Sequence, residues 1–282
     1  MNAAVNSIIA RCLMDPYYLQ EIKRDRSSAL REYALDTPLL EDFQTFDASR
    51  CEIFGGFITK VQLNQLWEVI PYTRLLLSLS GLEPKIFVAY RNSAPLPTKR
   101  VSRDQKTALF LDFLATYLRR RRSERFQTLL TLLMHERTVW AIGKKLLTSV
   151  SEDRKYTRWK GKEIDSAVPR TRGVLALVKL AHDPFEIVSR LRQDERTVPM
   201  ATKQLTYFAY SADPTRMKLQ ILRLEKLTWL ILSHVDGRKD VMTILRRVAP
   251  HQFSRLLARD GRIVFRNLRR SRVIELGRAT TE

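Results

Sequence analysis

The chain has 282 residues with 50 Lys and Arg against 30 Asp and Glu, a formal net charge of +20 at pH 7. At roughly 100–200 residues per domain this length allows two domains with sizeable cores. Hydrophobic residues at 44% exclude a globally disordered chain, and 9 glycines, about half the usual share of roughly 7%, favour helices.

Two cysteines, Cys12 and Cys51, sit on opposite sides of apolar segments with no CxxC and no neighbouring His pair. That excludes a disulfide scaffold and a standard zinc module, and it points to a reducing, cytoplasmic setting. Residues 1–14 lack a basic n-region and Arg11 interrupts their apolar run, so they do not read as a secretory signal. The most apolar stretch, residues 227–235, is far shorter than the roughly 20 residues that span a bilayer, and a soluble chain is expected.

In chain order, Asp15-Pro16 and Thr37-Pro38 each set a capping side chain before a proline and mark helix starts. Ser102 and Gln105 form a capping box ahead of an apolar stripe of Leu109, Phe110, Phe113, Leu114, Tyr117 and Leu118. A second stripe holds Phe126, Leu129, Leu130, Leu133 and Met134, and a third, short one holds Ile142, Leu146 and Leu147. Residues 1–150 therefore read as an all-helical domain. Periodicity vanishes over residues 151–172, where Gly161 and Pro169 punctuate a linker or long ordered loop.

Residues 173–180 then read as a strand, and Asp183-Pro184 opens a short helix through Leu191. Residues 204–210 and 216–222 form a hairpin across a five-residue turn, with Met217, Leu219 and Ile221 on one face and Lys218 and Gln220 on the other. A helix over 225–235 ends at Asp236-Gly237, and a second, capped by Asp240, carries Val241, Ile244, Leu245 and Val248. A third spans 250–259 with Phe253, Leu256 and Leu257 inward and ends at Gly261; residues 262–266 follow as a wing strand. The expected fold is α+β: a helical domain, then a winged-helix-like domain over residues 173–282.

No nucleophile, base, metal set or cofactor loop stands out. His135, His182, His234 and His251 lack ligand spacing, and Gly55-Gly56 lacks the third glycine of a nucleotide loop, so it reads as a helix-packing site. The expectation is a chain without catalytic, metal or cofactor residues of its own.

The positive charge is uneven. Arg119–Arg122 with Arg125 form one block, read either as an anion site or as cations closing a helix C-terminus. Residues 250–282 hold eight arginines against three acids. Such clusters attract nucleic acid, an acidic peptide or protein, or an anionic membrane surface. A basic third helix in a DNA major groove would present His251, Gln252, Arg255 and Arg259. The same outline accepts an extended peptide as an added strand at the hairpin edge.

Residues 227–245, LTWLILSHVDGRKDVMTIL, resemble the recognition domains that bind leader peptides of ribosomally made, modified peptides, with Asp240 where Thr or Ser is usual. LMDPYYL at 13–19, ALREYAL at 29–35 and FITKVQLNQLWE at 57–68 are similar to the helical partner subunits of multinuclear non-heme iron peptide-modifying oxidases, nearest those of the 3-thiaglutamate pathway and similar in role to the methanobactin partner subunit. The resemblance implies a non-catalytic subunit in a heterodimer: the separate enzyme carries the iron and oxidises the C-terminal cysteine of a carrier peptide, whose acidic leader this chain holds. With the topology above, it puts the leader against Arg216, Lys218, Leu219, Ile221, His251, Arg255 and Arg259, and makes Trp67, Tyr72 and Arg74 the anchors on the enzyme, Trp67 being alternatively a core residue.

Overall fold

The computed structural model describes residues 3–33, 35–93, 101–148, 161–193, 203–213, 215–248 and 255–277. It is mixed α+β and mostly helical, and it divides into two compact units: Met1–Leu133 with Val188–Pro199, and Met134–Ile187 with Met200–Glu282.

The first unit is built of helices α1 (Ala3–Met14), α2 (Pro16–Arg24), α3 (Arg26–Leu30), α4 (Thr37–Gln44), α5 (Ala48–Gln62), α6 (Leu66–Val69), α7 (Pro71–Leu79), α8 (Glu83–Ser93) and α9 (Arg103–Arg119). The first part of α10 (Glu124–Thr148) completes it. Asp15 caps α2 by accepting from the Tyr17 and Tyr18 amides, and the Ser102–Gln105 box closes in both directions. At α4 the cap lies one residue earlier than expected: Asp36 accepts from Leu39 N, and Thr37 is already helical. Asp offers the same acceptor geometry as Thr, and proline is tolerated at either of the first two helical positions.

Two glycines set the spacing of α5 against α8. A Cβ on Gly56 would stand 2.6 Å from Val88 Cγ2 and 3.2 Å from its backbone nitrogen, and one on Gly55 would stand 2.5 Å from Arg91 Cζ. The Gly55-Gly56 pair thus serves close helix approach. The stripes expected as two helices after the arginine block are one continuous 25-residue helix, α10. Gly143 inside it has no neighbouring side chain within 4 Å and does not break it.

The second unit continues from Met134 with the rest of α10, then β1 (Val168–Thr171), β2 (Val174–Leu180), α11 (Pro184–Gln193, its last turns in the first unit), β3 (Thr206–Asp213), β4 (Lys218–Leu224), α12 (Lys226–Ser233), α13 (Val241–Val248), α14 (Arg255–Arg270) and β5 (Ile274–Gly277). Strands β2, β3 and β4 form an antiparallel sheet in that order, and β1 pairs with β5 in a second one. The expected strand at 173–180 and the helix opened by Asp183-Pro184 are present, and so is the hairpin, but shifted toward the C-terminus: Ser211, Ala212 and Asp213, expected in its turn, belong to β3, while Arg216 and Met217, expected in its second strand, lie in the turn.

Alternation in the three-stranded sheet serves two cores. Phe208, Tyr210, Ala212, Leu180, Leu219 and Ile221 pack with Ile142 and Leu146 of α10. Ala209, Leu175, Leu177, Leu222 and Leu224 pack with Ile231, Leu232, Ile244, Leu245, Phe265 and Leu268 of α12 to α14. A sheet covered on both faces needs apolar residues at successive positions, so its strands lose the simple in-out pattern. Leu219 and Ile221 share a face as expected. Met217 does not join them: it lies in the turn at φ 49° and is 58% exposed.

Two expectations are corrected. Gly261 does not end the third helix, and residues 262–266 are not a wing strand: α14 runs unbroken to Arg270. Gly261 is the crossing point with α13, since a Cβ there would meet Leu245 Cδ2 at 2.4 Å. Its buried residues Ala258, Gly261, Phe265 and Leu268 keep helical spacing across the glycine. Of the stretch read as a linker or loop, residues 161–172 hold a 3₁₀ turn, Gly161–Ser166, and strand β1, which β5 completes.

Candidate functional site

Strand β4 is an outer strand of its sheet among the described residues, and its first residues stand beside the C-terminal end of α14. Between them opens a pocket of about 330 Å³ lined by Ser211, Asp213, Arg216, Lys218, Leu219, Gln220, Arg270, Ser271 and Arg272. Four cations thus surround a single acid.

Asp213 organises this corner. Its Oδ1 accepts from Thr215 N at 3.0 Å and from the Thr215 hydroxyl at 2.5 Å, tying the hairpin turn to the end of β3. Arg172 Nε lies 3.8 Å from Oδ1 and Arg272 Nη1 lies 3.9 Å from Oδ2. Burial pushes the Asp213 carboxyl up, but the two Thr215 bonds and the two arginines outweigh it and hold it below its ordinary value. The carboxylate thus lies between two arginines that would otherwise repel each other. The backbone turns sharply at both walls: Met217 and Arg272, the two non-glycine residues with positive φ among those described, have φ of 49° and 59°. Arg272 terminates α14, its amide and that of Val273 donating to Arg269 O and Leu268 O.

Along the solvent side of α14, Arg259, Ile263, Arg266, Asn267 and Arg270 are exposed. Spacing of 3, 4 or 7 residues puts the arginines on one stripe leading to the pocket. Arg262, at its flank, is bidentate to Asp165 at 2.6 and 2.7 Å.

Of the expected peptide-binding residues, Arg216, Lys218 and Leu219 line the pocket. Ile221 packs in the core against α10. Arg259 is exposed on α14, 11 residues before Arg270 and so about 16 Å away along the helix axis. The backbone of Arg255 starts α14, while its side chain and all of His251 lie outside the described residues. Sequence reasoning missed Asp213, Arg172 and the pocket roles of Arg270 and Arg272. The last two were counted in the basic C-terminal cluster, but the wing misplaced at 262–266 hid their return to the hairpin.

The expected docking residues lie in the first unit. Trp67, on α6, is 43% exposed, with Arg74 Cζ 4.1 Å above its ring. Arg74 itself is buried and donates Nε to Glu83 Oε1 at 2.9 Å, while Lys60 reaches Glu83 Oε2 at 2.9 Å. Tyr72, on α7, accepts from Arg192 Nε at 3.0 Å.

Among the described residues no group of three or more His, Cys, Asp or Glu is arranged to hold a metal ion, and no helix is long and apolar enough to cross a membrane. No protein-family model and no curated protein matches this sequence.

Proposed function

We propose that this chain is the peptide-holding, non-catalytic partner subunit of a separate iron-dependent peptide-modifying oxidase. An acidic leader would add as a strand to β4, its carboxylates meeting Arg216, Lys218, Arg270 and Arg272, and its C-terminal cysteine would be presented to the iron enzyme. The observation that carries this reading is an outer strand with a four-cation pocket at its start. Main-chain pairing supplies affinity without regard to sequence, and the cations select for acidic segments. In this reading α12 to α14 with the β3–β4 hairpin serve as a winged-helix-like recognition module, and the helical unit docks on the enzyme.

The test is a fluorescence titration of the full chain with a labelled Asp- and Glu-rich peptide. Charge reversal at Lys218 and Arg270 is expected to weaken binding at least about tenfold at low salt, with the difference shrinking as salt is raised. Unchanged affinity would remove the pocket from the reading. Co-expression with genomic neighbours and a metal assay on each co-purifying chain tests the partner: an iron protein in stoichiometric amount supports it, and purification of this chain alone counts against it.

One observation favours a second reading, nucleic-acid binding. The third helix spans 16 residues, not the ten expected, and exposes Arg259, Arg266 and Arg270 on one stripe. That is long enough to lie in a major groove. Retention of a preferred duplex at moderate salt, with no peptide binding, would establish it instead.

A further inference from the structure

The chain's two cysteines, one in α1 and one in α5, come together in the core of the first unit. Both are free and buried, Cys12 at 0% and Cys51 at 8% exposure, and they share one apolar cluster. Helices α1 and α5 pack against each other through this cluster.

A guanidinium bridges the two helices. Arg91, on α8, is 2% exposed, and its Nη2 donates to Cys12 O at 2.7 Å and to Leu13 O at 2.9 Å. Its other terminal nitrogen, Nη1, is buried without a hydrogen-bond partner. The group occupies the space a side chain at Gly55 would fill, one helical turn after Cys51 on the same face of α5. A buried, incompletely bonded cation beside two thiols is an arrangement that favours a thiolate. Burial opposes ionisation of both sulfurs, but the Cys12 thiol, Arg91 and Lys23 together draw the Cys51 thiol below its ordinary value, while Cys12 is held above it.

We propose that Cys12 and Cys51 are an oxidisable dithiol, which a hydroperoxide converts into a disulfide pinning α1 to α5 with Arg91 beside the reacting sulfurs. The Cys51 thiolate attacks the peroxide; the O–O bond breaks, the departing hydroxide takes up a proton, and Cys51 is left as a sulfenic acid. The Cys12 sulfur, giving up its proton, then attacks that sulfur; the S–O bond breaks and a second water leaves. Two thiols and one hydrogen peroxide thus become one disulfide and two waters, the sulfurs losing two electrons that the peroxide gains.

The test uses the full chain, reduced, treated with hydrogen peroxide and then alkylated with iodoacetamide in denaturant. Trypsin cuts after Arg11, Lys23, Arg50 and Lys60, so the two cysteines fall in separate peptides. The untreated chain is expected to take two labels. The oxidised chain should take none, weigh less by two hydrogen atoms, release a single linked Cys12–Cys51 peptide, and melt roughly 5–10 °C higher. Cys12→Ser should stop at a Cys51 sulfenic acid that dimedone traps, and Arg91→Lys should slow oxidation about tenfold or more. Full alkylation after excess peroxide, a Cys51 sulfinic acid with Cys12 still free, or a disulfide between two chains would each overturn the proposal. The wild-type mass reading stands even where a variant fails to fold.

Discussion

His135 shows how a single residue of the second unit is set by its surroundings. It faces the sheet from α10, with Nδ1 2.7 Å from the Tyr210 hydroxyl and the ring edge-on to Phe185. Burial pushes its pKa down to about 4, with Asp183 only partly opposing. The unfolded chain therefore binds a proton between about pH 6.5 and 4 that the folded chain refuses, so stability is lost as pH falls through that window. Urea unfolding at pH 4.5 and pH 7 is expected to differ by about 2–3 kcal/mol more in the wild type than in His135→Gln. An equal difference would show that the ring is solvated. Residues whose partners are local were legible from sequence: Asp15, Ser102 and Asp240 cap the helices expected of them. Asp213 was not, because what makes it important is two arginines that belong to other strands and turns.

Among the elements, glycines mark where pattern and packing part company. Gly56 and Gly143 both lie inside helices, yet substitution should have opposite signs. Gly56→Val would drive a branched side chain into Val88 and its backbone, an overpacking expected to cost about 1–3 kcal/mol. Gly143→Ala meets nothing and recovers helix propensity, a gain of about 0.5–1 kcal/mol. Thermal melts of the two variants check both signs together. Gly261 belongs with Gly56: read locally it is a helix stop, but in the fold it admits Leu245 at the α13–α14 crossing, and α14 passes straight through. Burial of Phe265 and Leu268 beyond it outweighs the roughly 1 kcal/mol that an interior glycine costs.

At the scale of the whole molecule, a net charge of +20 makes the folded chain repel itself. Raising sodium chloride from about 10 mM to 150 mM shortens the screening length from about 30 Å to 8 Å, and the melting midpoint is expected to rise by about 2–5 °C. A midpoint that falls instead would mean that ion pairs such as Arg74–Glu83 and Arg262–Asp165 outweigh the net repulsion. The sequence by itself determined the mixed α+β class, the helix starts with local caps, the hairpin and the basic cluster at residues 250–282, because each depends on neighbours within a few residues or on composition alone. Only the tertiary structure decided which cations share a pocket, where α14 ends, that β1 finds β5, and that Cys12 and Cys51 share one core cluster. Those contacts join residues far apart in the chain, and no local propensity encodes which distant surfaces will bury one another.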